Sequence, residues 1–138
     1  MRLILLLGSV TLIWAQAQDT PTQDSNPKSQ YVEESLLAHG FEVYKSSYCG
    51  ICHTLPAAQT AGIFGPPHAG MGVIAAARVQ DPNYTGSATT AEAYLRESIL
   101  DPEAYAVPGY AASIHPMPAY TTLSDEDLTA LVYMLLRQ

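Results

Sequence analysis

Five consecutive residues, Cys49-Gly50-Ile51-Cys52-His53, place two thiols three positions apart with an imidazole directly after the second thiol. This C-x-x-C-H spacing is typical of covalent haem attachment, in which the thiols add to the haem vinyl groups and the histidine reaches the iron. Attachment at two points lets a small protein hold its cofactor with few other contacts. The motif therefore predicts one haem c, bound through Cys49 and Cys52, with its iron coordinated by His53.

Two other kinds of site use a cysteine pair at this spacing. A thiol redox motif follows a strand in a βαβ context, whereas a helix is predicted before Cys49. A zinc site needs further ligands, and the chain has only two cysteines. Both interpretations are therefore weaker than haem attachment, as is a simple disulfide.

The iron of such a haem needs a second axial ligand, and a thioether in that position raises the reduction potential. Met117 lies between two prolines in a loop before the last predicted helix, and we predict that it is this ligand. Met71 and His115 remain alternatives, whereas Met134 lies beside the apolar stripe of a helix and is predicted to pack in the core. His39 and His68 are predicted to be ordinary surface or loop histidines.

Three segments show the apolar periodicity of helices, and no alternating strand pattern appears. The first helix is predicted from Tyr31 to about Lys45. The last follows Ser124 as N-cap and has acidic residues at its positive end. Between them, Thr89 and Glu92 stand in capping-box spacing at the start of a helix that must stop by Asp101, because a proline follows.

Long segments rich in glycine and proline separate these helices. Residues 54–88 predict mostly loop, with a short helical turn at 73–78, and residues 102–122 predict a second loop. Loops of this length are uncommon in a compact domain unless something other than the chain fills the core, and a haem would do so. The predicted fold class is therefore all-α, with three main helices and long loops around one covalent haem.

The N-terminal residues have the features of an export signal. Arg2 precedes an apolar run from Leu3 to Trp14, and Ala15-Gln16-Ala17 has the small-x-small cleavage pattern. The run is shorter than the roughly 20 residues that cross a bilayer, so an uncleaved anchor is the weaker interpretation. We expect export to the periplasm or to the outer face of the cytoplasmic membrane. The predicted organisation is a signal peptide at 1–17, a flexible leader at 18–30 and one domain at 31–138.

The charge of the chain limits its partners. The formal net charge is −7, which argues against binding to nucleic acid. An acidic excess steers a protein towards basic surfaces, although an acidic surface with no partner is an equally ordinary explanation. The predicted partners are redox proteins with a basic docking face.

From about Tyr31 to Gln138, the chain resembles class I cytochromes c of the small bacterial monohaem type. Cys49, Cys52 and His53 match the haem motif of that family, and Met117-Pro118 matches its Met-Pro near the C-terminus. The resemblance implies the cytochrome c fold.

The resemblance also implies further contacts. The Gly-Pro of the family, whose proline carbonyl accepts the Nδ1 hydrogen of the axial histidine, matches Gly65-Pro66. Arg78 matches an arginine of such domains, and both a haem propionate and the protein surface remain open as its environment. Residues 80–87 are an insertion relative to the family and leave the propionate contacts open. A glycine and two aromatic residues at the crossing of the first and last helices match Gly40, Tyr44 and Tyr133.

An iron with two protein ligands has no open position for a substrate, so the predicted function is one-electron transfer and not catalysis. The leading interpretation is a soluble carrier between respiratory or photosynthetic redox partners. The second is a fixed monohaem subunit of a membrane respiratory complex. The third and weakest is a gas-binding haem protein, in which Met117 does not bind the iron. The sequence argues against it, because gas-binding cytochromes of the bundle type carry the haem motif near their C-terminus.

Overall fold

The computed structural model describes residues 26–138, and this part of the chain is mostly helical, as predicted. The predicted signal peptide and most of the predicted leader lie outside the described residues. In chain order, the elements are α1 (Pro27–Ser46), α2 (Cys49–Cys52), β1 (Thr54–Leu55), β2 (Thr60–Ala61), α3 (Met71–Arg78), α4 (Ala91–Leu100) and α5 (Asp125–Leu136). A short 3₁₀ turn joins β1 to β2.

Helix α1 begins before its predicted start at Tyr31. The Asn26 side chain accepts a hydrogen bond from the amide of Lys28 at 3.1 Å and caps the helix. Pro27 occupies the first turn, where a residue without an N–H is tolerated. Residues 27–30 therefore belong to the first helix and not to the predicted flexible leader.

Helices α1 and α5 cross at Gly40. A Cβ atom at this position would lie 2.5 Å from the Cβ of Met134 and would also overlap the carbonyl oxygen of Ala130. Glycine is therefore needed for the two backbones to approach this closely. Tyr44, one turn later on α1, is fully buried. On α5, Tyr133 packs against Arg137, whose guanidinium lies 3.3 Å from the ring centroid.

The apolar faces of α1, α3, α4 and α5 form one core. Met134 is fully buried there, which confirms its predicted packing role. No helix within residues 26–138 is long and apolar enough to cross a membrane. The large side chains of the core are Val43, Tyr44, Leu55, Met71, Tyr94, Leu95, Ile99, Leu128, Leu131, Val132, Met134 and Leu135.

The predicted N-cap residue is correct for α5 and wrong for α4. Helix α5 begins after Ser124, whose hydroxyl accepts a backbone amide at 3.1 Å, as predicted. Helix α4 begins after Thr90, whose hydroxyl accepts the amide of Ala93 at 3.1 Å. The predicted N-cap, Thr89, is therefore wrong by one residue. The helix ends at Leu100, within its predicted limit.

A small antiparallel hairpin follows the C-x-x-C-H segment, where only loop was predicted. Strand β1 pairs with β2 so that Thr54 faces Ala61, and Gln59 closes the turn with a φ of 57°. The hydroxyl of Thr60 donates to the carbonyl oxygen of His53 at 2.9 Å. The hairpin thus fixes the backbone of His53.

Candidate cofactor site

A cavity of about 340 Å³ opens between the C-x-x-C-H segment, α3, α4, α5 and the loop that precedes α5. Small-molecule and cofactor sites usually have volumes of roughly 300–1,000 Å³. The structure brings all the site residues selected from the sequence to the wall of this one cavity. These residues are Cys49, Cys52, His53, Pro66 and Met117.

His53 is 5% exposed, and its ring is oriented by a hydrogen bond. Its Nδ1 atom lies 2.7 Å from the carbonyl oxygen of Pro66, so a proton on Nδ1 is donated to that carbonyl. This tautomer leaves the lone pair of Nε2 free. Burial lowers the pKa of His53, although the hydrogen bond to Pro66 opposes the shift. The imidazole is therefore held neutral, which is the form that binds metals.

Gly65 packs directly on the His53 ring. A Cβ atom at Gly65 would lie 2.7 Å from Nδ1 and 3.0 Å from Nε2, well inside ordinary contact distance. The amide of Gly65 donates to the carbonyl oxygen of Cys52 at 2.9 Å, so this loop is tied to the C-x-x-C-H segment. The predicted role of Gly65-Pro66 beside His53 agrees with this geometry.

The two thiols are free and half-buried in α2, which follows a helix. Burial raises the pKa of the Cys49 thiol to about 11, with a smaller contribution in the same direction from Cys52. The attacking cysteine of a thiol redox motif has a lowered pKa, so Cys49 lacks this property. Within residues 26–138, no group of three or more His, Cys, Asp or Glu side chains converges, and a structural zinc site needs four ligands.

His68 lies in a loop, as predicted, but its ring points into the site and does not behave as a surface side chain. The ring stacks on His53 with centroids 3.9 Å apart and planes at 18°. Burial is the main cause that lowers the pKa of His68 to about 3, with smaller contributions from the neighbouring His53 and Arg78. The sequence carried no periodic or spacing signal for this contact.

The candidates for the second axial position, Met117, Met71 and His115, all line the cavity. Met71 is 2% exposed, and its amide donates to the carbonyl oxygen of His68 at 3.2 Å. Met71 is therefore joined through its backbone to the loop residue whose ring stacks on His53. Met117 instead comes from the separate loop before α5.

The loop that carries Met117 is anchored on both sides of the cavity. The Tyr120 amide donates to the carbonyl oxygen of Ile99 at 2.9 Å, and the Tyr120 hydroxyl donates to that of Ser47 at 3.0 Å. His115 is exposed and packs edge-on against Phe64, with ring centroids 4.5 Å apart. The anchored loop therefore places Met117 in the cavity wall.

Arg78 lies in the cavity wall and is half-buried. Its Nη1 donates to the hydroxyl of Tyr94 at 2.7 Å, and its guanidinium lies 5.5 Å from the centroid of that ring. The segment 80–87 is tied to α4 because Tyr84 and Ser87 both donate hydrogen bonds to the Glu97 carboxylate. The hydrogen bond to Tyr94 thus fixes the positive charge of Arg78 at the cavity.

Taken together, the site offers two thiols, a buried imidazole with a free Nε2, a thioether and a cation around one cavity. Tyr94, Tyr105, Tyr110 and Tyr120 also line it. No protein-family model, curated protein or solved structure matches the chain.

Proposed function

We propose that this chain is an exported c-type cytochrome that carries one covalently attached haem and transfers single electrons. The observation that carries the proposal is the buried His53 imidazole. Its Nδ1 is held 2.7 Å from the Pro66 carbonyl oxygen, inside a cavity that the Cys49 and Cys52 thiols also line. A carbonyl partner on one ring nitrogen fixes the tautomer and makes the other nitrogen a stronger metal ligand.

The residues around the cavity fit a haem. Leu95, Ile99 and Leu131 supply apolar wall for the porphyrin faces, and Arg78 supplies a positive charge for a propionate. Cys49 and Cys52 lie beside His53, as covalent attachment through the vinyl groups requires. When bound, the haem iron supplies a one-electron couple between its ferric and ferrous states.

The helical arrangement supports a class I cytochrome c fold. The close crossing at Gly40 packs the first and last helices of the described residues, α1 and α5, directly against each other. The long segments between α2, α4 and α5 supply the cavity wall, including Pro66 and Met117. In this proposal, those loops are long because they enclose the cofactor.

We assign the second axial position to Met117. Of the two methionines in the cavity wall, Met71 is joined through its amide to the backbone of His68, the loop residue that stacks on His53. Met117 belongs to an independently anchored loop. A thioether there would satisfy the iron and raise its reduction potential.

With both axial positions filled by the protein, the remaining chemistry is electron transfer through the haem edge. The net charge of −7 favours redox partners with a basic docking face. We propose a free carrier outside the cytoplasm. Co-purification with a membrane respiratory complex would instead identify the chain as a fixed subunit.

The test compares the purified wild type with Met117→Ala, Met71→Ala and His115→Ala. The ferric wild type should show the weak red charge-transfer band of iron bound to methionine sulfur, and the ferrous form should bind carbon monoxide poorly. Met117→Ala should lose the band and gain carbon monoxide binding, while the other two variants keep the wild-type behaviour. If Met71→Ala alone abolishes the band, the sulfur is wrongly assigned. If the wild type itself binds carbon monoxide readily, the gas-binding interpretation replaces the carrier.

A further inference from the structure

We propose that His68 is a positioning residue that fixes the rotation of the axial His53 ring by stacking on its face. This inference rests on the proposed function, because it concerns the orientation of His53 towards the haem iron. The two rings lie 3.9 Å apart and within 18° of parallel, which is face-to-face contact.

The His68 ring is placed by packing and not by polar contacts. Its Nδ1 is fully buried and has no hydrogen-bond partner among residues 26–138. One face contacts His53, and Tyr44 approaches edge-on with ring centroids 5.8 Å apart. A buried nitrogen without a partner carries a desolvation cost, so the position gives the ring no polar stabilisation of its own. The stacking contact with His53 therefore explains where the His68 ring lies.

The backbone of His68 is fixed independently of its side chain. Its amide donates to the carbonyl oxygen of Thr54 at 2.9 Å, and its carbonyl oxygen accepts the amide of Met71 at 3.2 Å. These bonds join β1 to the first turn of α3 across the site. Because any side chain at position 68 can keep them, a substitution there tests the ring without removing the bonds that hold the loop.

The stack restrains a rotation of the His53 ring that its other contacts do not prevent. The Pro66 carbonyl holds one ring atom of His53, at Nδ1, and a single hydrogen bond allows tilting around the bound oxygen. Gly65 also contacts the ring, at Nδ1 and Nε2. A flat partner parallel to the imidazole resists rotation of the whole ring plane, because rotation would separate the two faces or force them to overlap. With a haem bound, His68 would therefore restrain the orientation of the His53 plane beyond what Pro66 and Gly65 achieve.

The test uses the proton NMR spectrum of the ferric haem-loaded protein, in which the haem-methyl shifts report the orientation of the axial ligand planes. His68→Leu removes the flat partner and should lose the wild-type order and spread of these shifts. His68→Phe keeps a flat ring without nitrogens and should retain both. His39→Leu is the matched control, because His39 binds Asp127 at 2.8 Å and is absent from the cavity wall. It should leave the spectrum unchanged.

Three results would overturn the inference. If His68→Leu retains the wild-type shifts while its thermal stability falls, His68 serves packing alone. If His68→Phe changes the shifts as much as His68→Leu, the ring nitrogens matter and the stack does not. If His39→Leu changes them equally, the spectrum responds to histidine loss in general. Failure of the proposed function is separately visible, because a wild type without covalent haem or shifted methyl signals would contradict haem binding itself.

Discussion

Replacement of Gly65 by alanine directly tests the geometry of His53, which we propose as the axial ligand. The added Cβ atom would lie 2.7 Å from Nδ1 and 3.0 Å from Nε2 of His53, so the ring or the loop must move by roughly 1 Å to reach ordinary contact. Overpacking of this kind costs about 1–3 kcal/mol. Loss of the 2.7 Å hydrogen bond to Pro66 adds about 0.5–1.5 kcal/mol. We therefore expect the free energy of unfolding to fall by about 1.5–4.5 kcal/mol.

With the proposed haem bound, the same substitution should also change the reduction potential of the iron. A histidine that no longer donates from Nδ1 to a carbonyl is a weaker electron donor to its metal, so the reduction potential should rise. Guanidinium denaturation followed by circular dichroism measures the stability, and redox titration measures the potential. Gly40→Ala is the matched control, because its Cβ would meet Met134 at 2.5 Å in the α1–α5 crossing. It should reduce stability by a similar amount without raising the potential. A stable Gly65→Ala with unchanged potential would contradict the packing of Gly65 on His53.

Two further predictions concern the cap of α4 and the N-terminal signal. Thr90→Ala should lower the free energy of unfolding by about 1 kcal/mol, because the Ala93 amide loses its 3.1 Å partner, whereas Thr89→Ala should change it by less than about 0.5 kcal/mol. Equal losses in guanidinium denaturation would argue against Thr90 as the cap. Expression without residues 1–17 should yield apoprotein in the cytoplasm, measured by haem absorbance of the purified chain. Efficient covalent attachment there would contradict the need for export.

The helices could be predicted from the sequence because their apolar periodicity is a local property. The α5 cap at Ser124 and the end of α4 before Pro102 follow from the same local chemistry. The early start of α1 had a readable signal, since Asn26-Pro27 is a good N-cap followed by a good first residue. The α4 cap was predicted one residue too early, at Thr89, because the capping-box spacing does not show which residue leaves the helical conformation.

The remaining features depend on tertiary structure. Strands β1 and β2 contain two residues each, too few for an alternating pattern to be recognised. The stacking of His68 on His53 depends on how a loop rich in glycine and proline folds back over α2, and no spacing rule describes that path. The C-x-x-C-H motif alone predicted His53 as the residue that coordinates the haem iron. The hydrogen bond to Pro66 was inferred from a family resemblance and is present in the structure.

The most direct test of the central claim is the intact mass of the purified, exported protein after acid-acetone extraction. If Cys49 and Cys52 attach a haem, the mass should equal that of the processed chain plus one haem, and extraction should leave the colour with the protein. The variant Cys49→Ser with Cys52→Ser is the control and should lose its haem to the solvent. A wild type that releases all its haem, or that never contained any, would contradict the account.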